Sequence, residues 1–137
     1  MKSINQLIIT LTVCLLSIQA WAQSGKLFNT DNQLSSNLAT QVFQDKSGFI
    51  WIATRNGLNT YDGYHITVMK KDMSNFSGLK SNYINSIAQD DKGHILLGTN
   101  NSLLEFTGSE FHKIPMLDSK GEELATYVKQ VYPLKNK

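Results

Sequence analysis

The sequence holds a single cysteine, Cys14, and it lies inside an apolar N-terminal stretch. A chain cleaved after that stretch keeps no thiol, which excludes a disulfide framework and thiol chemistry. Beyond Ile18 no apolar run approaches the roughly 20 residues that a membrane-spanning helix requires. Charge is sparse and balanced, with 18% charged residues and a formal net charge of +2. Apart from Lys70-Lys71 the lysines are scattered, and no basic stripe alternates with aromatics, so nucleic acid is not an expected partner. The three histidines, His65, His94 and His112, share no metal-ligand spacing, and a zinc site wants three or four convergent ligands. Neither a metal nor a cofactor is therefore expected. The adjacent carboxylates Asp90-Asp91 and Glu122-Glu123 would point to opposite faces of a strand. Paired-acid glycoside hydrolysis needs both carboxylates facing one bond, so no catalytic residue is assigned and the chain is read as a non-enzyme.

What is present begins with an address. Lys2 and a polar stretch precede the apolar core Leu7 to Ile18, and Gln19-Ala20-Trp21-Ala22 follows. That charged, apolar and small-residue order is that of a secretory signal over residues 1–22, with cleavage expected between Ala22 and Gln23. Export is the expected localisation. Cys14 follows Val13 rather than a small residue, which argues against a lipoprotein anchor.

The rest of the chain repeats itself. Leu34 to Lys70 lies over Leu79 to Pro115 without a gap, and a period of about 45 residues is that of one propeller blade. Leu34, Ser36 and Asn37 meet Leu79, Ser81 and Asn82. Gln44-Asp45 meets Gln89-Asp90, Gly48 meets Gly93, Ile50 meets Ile95, and Thr54 meets Thr99. Each copy reads as four short strands divided by turn signals. In the first copy these are Asp45-Lys46-Ser47-Gly48, Asn56-Gly57 and Asp62-Gly63. Asp caps its own backbone and Gly accepts positive φ, so such segments close tight connections, and Asn-Gly between apolar runs predicts a hairpin. In the second copy Gly57 becomes Ser102 and Asp62 becomes Thr107, so two turns have lost their best residues. The consecutive apolar run Ile95-Leu96-Leu97 fits a strand buried on both faces, as when blades stack.

The expected fold is all-β: β-propeller blades, each a four-stranded antiparallel meander, in an incomplete array of two blades plus the start of a third. A lead-in strand and linker are expected over 23–33, blade one over 34–78, blade two over 79–123, and the start of blade three over 124–137. In that last segment Tyr127 to Tyr132 repeats the apolar spacing of Leu38 to Phe43. Repeat arrays usually need three or more units, and an open blade leaves unpaired edges. The chain is thus expected to be the beginning of a longer protein, and marginal on its own. A short protein that closes by oligomerising is the alternative.

Gln44 to Tyr64 (Gln-Asp-x-x-Gly-Phe-Ile-Trp-Ile-Ala-Thr-x-x-Gly-Leu-Asn-x-Tyr-Asp-Gly-Tyr) resembles the two-component regulator propeller repeat. Ala53 stands where that repeat usually has Gly, and the second copy lacks the Trp, the Gly after Asn and the Tyr-Asp. The resemblance implies the periplasmic sensor part of a hybrid two-component protein. An inner-membrane helix, a histidine kinase core, a receiver and a DNA-binding domain would follow in the intact relative. Its implied partners are an oligosaccharide, the remaining blades and C-terminal signalling domains of a longer chain, and a second copy in a full-length homodimer. An exported propeller that only binds glycans or scaffolds, and a non-functional truncated product, are the other readings.

Blade geometry indicates where a ligand would bind. Turns one and three of a meander share one rim, while turn two and the inter-blade link share the other. Ligands are expected at the second rim, which would hold Arg55, Asn56, Asn100 and Asn101, with Asn37 and Asn82 nearby. Amide and guanidinium groups suit hydroxyl-rich ligands, although for Asn56 and Asn101 a plain turn-forming role is the preferred explanation. Tyr64, just past a turn, is expected to be exposed. Trp51 and Tyr61 are expected in the blade-to-blade core rather than as stacking platforms for sugars.

Overall fold

The computed structural model describes residues 25–71 and 78–133, together with Ile4. The segment read as a signal, with its Ala22/Gln23 cleavage point, otherwise lies outside the described residues. No helix among those described is long and apolar enough to cross a membrane.

Eight strands form two antiparallel sheets. The first sheet holds β1 (Ala39–Gln44), β2 (Ile50–Thr54), β3 (Gly57–Tyr61) and β4 (Ile66–Met69), hydrogen-bonded in the order β1-β2-β3-β4. The second holds β5 (Ile84–Gln89), β6 (Ile95–Thr99), β7 (Leu103–Phe106) and β8 (Phe111–Ile114), in the order β5-β6-β7-β8. Both are meanders, as the spacing of turn residues predicts. Even the irregularities repeat: the register shifts between Ala39 and Gln41 in one sheet and between Ile84 and Ser86 in the other. A bulge bends and twists its strand, so its recurrence at matching positions keeps the two sheets similarly curved.

The first turn of each blade is built by its aspartate. Asp45 Oδ1 accepts hydrogen bonds from the backbone N–H of Ser47 (2.9 Å) and Phe49 (3.0 Å). Asp90 Oδ1 accepts from His94 N–H at 2.8 Å. The second turn departs from the expected Asn-Gly hairpin. Its two loop residues are Arg55 and Asn56, and Gly57 is the first residue of β3, paired with Thr54. Thr54 replaces the missing turn chemistry: its hydroxyl donates to Gly57 O (2.8 Å) and accepts from Asn56 N–H (3.1 Å). Thr99 does the same for Asn101 and Ser102. This is why the second copy dispenses with the glycine. The third turn also survives its substitution, since Thr107 N–H still donates to Glu110 O at 3.2 Å.

Alternation places Trp51 and Ala53 on the face of the first sheet that meets the second. Ile87, Ile95, Leu97, Leu104, Phe106 and Phe111 answer from the second sheet, and these residues share one core with Phe43, Leu58 and Met69. Trp51 meets Phe106 edge-to-face with ring centroids 5.7 Å apart, so its placement in the blade-to-blade core holds. Backbone polar groups are stapled across the same interface. Thr40 Oγ1 donates to Ile84 O (2.6 Å), and the Gln41 amide both donates to Ile87 O (3.0 Å) and accepts from Ile87 N–H (2.9 Å). Gln41→Ala removes both bonds and leaves the Ile87 backbone groups without this partner, which costs about 2 kcal/mol. A drop in the urea midpoint with an unchanged far-UV spectrum is the expected result.

Two expectations need correction. The strand expected within 23–33, over Lys26 to Thr30, does not form: residues 25–29 pair with no described strand and lead into a single 3-10 turn at Thr30–Asn32. Tyr61 is absent from the blade-to-blade core. The two-residue alternation turns it to the opposite face from Trp51 and Ala53. There it packs on Phe28 of the lead-in (ring centroids 4.9 Å) and receives a hydrogen bond from Lys26 Nζ at 2.9 Å.

The segment beyond β8 begins a third unit. Asn85, the counterpart of Thr40, donates from Nδ2 to Val128 O at 3.0 Å, and Val128 N–H donates to Thr99 O at 2.9 Å. Val128 therefore stands toward the second sheet as Ile84 stands toward the first. Residues 127–132 make no strand ladder among the described residues.

Candidate functional site

The rim residues singled out from the sequence fall into three groups. Arg55, Asn56 and Asn82 come together at the second turn of the first sheet. Gly57 N–H donates to Asn82 O (2.7 Å), the Arg55 guanidinium lies 5.6 Å from the centre of the Tyr83 ring, and Asn56 Nδ2 reaches Ser35 O at 3.4 Å. Asn100 and Asn101 sit at the matching turn of the second sheet. Ser81 Oγ donates to Asn100 Oδ1 (2.6 Å), and Asn101 Oδ1 lies 3.1 Å from both the Thr99 and the Ser102 hydroxyl oxygens. Asn37 stands apart, accepting from Thr30 N–H at 2.8 Å and so holding the 3-10 turn. Asn82 has a fastening role as well, since its Oδ1 accepts from Lys71 N–H at 2.6 Å.

Tyr64 is 83% exposed and lies at the third turn, on the other rim. Asp62 builds that turn by accepting from the N–H of Tyr64 (2.8 Å) and His65 (2.7 Å). The His65 and then the Tyr64 backbone hydrogen bonds hold the Asp62 carboxyl below its ordinary pKa. Lys26, Phe28, Gln33 and Tyr64 line a shallow hollow of 270 Å³ there.

The larger cavity was not foreseen from the sequence. A cleft of 560 Å³ opens between the two sheets at the rim of turns one and three, opposite the rim expected to bind. Trp51, Thr60 and Met69 line it from the first sheet, and Gln89, Ile95 and Phe106 from the second. Its floor holds a bond that the repeat hid: Trp51 Nε1 donates to Asp45 Oδ2 at 2.8 Å. Asp45 thus serves the turn with one oxygen and the core tryptophan with the other. The pairing of Asp45 with a tryptophan six residues on, found in the first copy alone, is the signal that could have shown this.

The second blade has Leu96 where the first has Trp51, so Asp90 Oδ2 lacks an indole partner. A different cluster stands there. His94 Nδ1 lies 3.5 Å from Asp90 Oδ2 and 2.8 Å from Glu105 Oε1, with all three side chains half-buried. Sequence spacing does not show this group, because Glu105 arrives from β7 and only the β6–β7 pairing brings it beside the turn.

The two-component regulator propeller family profile matches residues 33–56 and 78–101. The chain carries two two-component regulator propeller repeats. Each match covers an inter-blade link, the inner strand, the aspartate turn and the second strand, the parts of the unit that the two copies share most closely. No curated protein matches the chain. Among solved structures, the extracellular domain of BT3049 from B. thetaiotaomicron, described as a hybrid two-component system, is similar with a TM-score of 0.61 and 24% identity. That similarity covers 75% of this chain and 15% of that one. The extracellular domain of BT4673 from the same organism, also described as a hybrid two-component system, gives a TM-score of 0.57 at 19% identity. It covers 66% of this chain and 13% of that one. These likenesses establish the propeller fold, and the chain spans about a seventh of the length of the solved chains it resembles.

Proposed function

We propose that this chain is the N-terminal part of an exported β-propeller sensor in a hybrid two-component signalling protein, with blades over 34–78 and 79–123. The observation that carries the reading is the pair of two-component regulator propeller repeats, stacked as in extracellular domains of hybrid two-component systems. The secretory order of residues 1–22 supports a periplasmic location, and an inner-membrane anchor and kinase would lie in domains outside this chain. Its own contribution is recognition, with no catalysis.

The ligand class proposed is an oligosaccharide. Arg55, Asn56, Asn100 and Asn101 present guanidinium and amide groups on one exposed rim, and such groups pair with sugar hydroxyls. Calorimetric titration of the complete ectodomain against a broad oligosaccharide panel tests this. Saturable heat with at least one glycan, weakened at least tenfold by Arg55→Ala, is the expected result. Silence across the panel would sink the glycan reading.

The scaffold alternative draws on a separate observation. Asn37, Asn82 and Asn101 spend side-chain hydrogen-bonding capacity on the fold itself, which leaves fewer groups for a ligand. A gene that ends after its last blade would favour that reading.

A further inference from the structure

We propose that Asp90, His94 and Glu105 form a binding site for a divalent transition-metal ion of the zinc class. The proposal is independent of the sensor reading. One ligand atom from each residue lies within 4.8 Å of the other two. Converging imidazole nitrogen and carboxylate oxygens are the donor set of zinc and its neighbours.

The repeat supplies the second argument, because it shows what this place looks like without ligands. In the first blade the corresponding residues are Asp45, Phe49 and Thr60. Asp45 is fully engaged there, with Oδ1 on the turn and Oδ2 on the Trp51 indole. Three changes coincide in the second blade. Leucine at position 96 withdraws the indole from Asp90 Oδ2, histidine at 94 brings a nitrogen to it, and glutamate at 105 brings a second carboxylate. A structural replacement for the lost indole bond requires only one donor. A second carboxylate adds like-charge repulsion in a half-buried place, and a divalent cation removes that repulsion.

The division of labour within Asp90 is compatible with ligation. Oδ1 stays on His94 N–H at 2.8 Å and anchors the carboxylate, leaving Oδ2 to face the ring. A metal ligand is usually oriented by such an outer hydrogen bond. Glu105 is fixed on the ladder opposite Leu96. With three protein ligands, a fourth position stays open to water, as in open zinc sites.

The test is titration of Zn2+ into the longest soluble form of the protein that carries both sheets, followed by calorimetry at pH 7.5. The controls are His94→Phe and Glu105→Thr, which install the first blade's own residues at these places and so suit the fold. Their far-UV spectra should match the parent. One equivalent of zinc bound by the parent, weakened at least tenfold by each substitution, is the expected outcome. The proposal is overturned if the parent takes up no zinc, or if folded His94→Phe binds it as tightly as the parent.

Discussion

Gly78→Ala is expected to cost about 3 kcal/mol, the sum of left-handed backbone strain and overpacking. Gly78 has φ +91°, and a Cβ there would lie 2.9 Å from the Phe111 carbonyl carbon and closer still to its oxygen. The obstruction is backbone belonging to β8, which cannot retreat without disturbing the sheet. The repeat offers an internal control. Gln33 occupies the same place in the first blade and is the one non-glycine residue among those described with positive φ, at 80°. Its side chain is exposed, so it bears the backbone strain without a clash. Gln33→Gly should therefore raise stability, by roughly 0.5 kcal/mol after the entropy cost of glycine is subtracted. Urea denaturation of the two variants should move the midpoint in opposite directions. Equal midpoints would mean that the two links do not share a conformation.

Removing the Trp51 side chain is the second large effect. Trp51→Ala should destabilise by about 4 kcal/mol, as for large aromatic truncations in a core. Two contributions can be separated. Trp51→Phe keeps a ring against Phe106 but drops the bond to Asp45 Oδ2, and should cost about 2 kcal/mol. Asp45→Asn combined with Trp51→Phe then closes a double-mutant cycle. A coupling energy of about 1 kcal/mol is expected from a charge-assisted hydrogen bond in a partly buried place. Zero coupling would show that the indole contributes only its area. Either tryptophan variant should loosen the interface between the sheets more than the sheets themselves. Hydrogen exchange should accordingly rise first at Ile84 to Ile87.

The strands and their turns were legible because their chemistry is local. Asp45-Lys46-Ser47-Gly48 and Asp90-Asp91-Lys92-Gly93 carry their turn instructions within four residues. Alternation then decides which face of each strand is apolar. A third turn of this kind went unread: Asp118 Oδ1 accepts from the N–H of Lys120 (2.8 Å) and Glu122 (2.9 Å). It lies between β8 and the third unit, off the shared period, where no repeat pointed to it. The Asn-Gly pair misled by one residue, because Thr54 supplies from its hydroxyl what the dipeptide was expected to supply from its backbone.

The candidate sites were less legible. The amide-rich rim could be named from turn positions, but the partners of Asn37 and Asn82 come from residues 30 and 71, which no local pattern links to them. Asp90, His94 and Glu105 span a turn and the strand two places on, and become neighbours only through the pairing of Leu96 with Glu105. By itself, then, the sequence determined the repeat, the meander and the apolar faces, since turn chemistry and two-residue alternation act within one strand and its neighbours in sequence. Tertiary structure alone decided where the cleft opens, which carboxylate meets which ring, and which asparagines are already engaged. Those depend on the register between strands and on the stacking of one sheet on the next, and both are distances that no local pattern encodes.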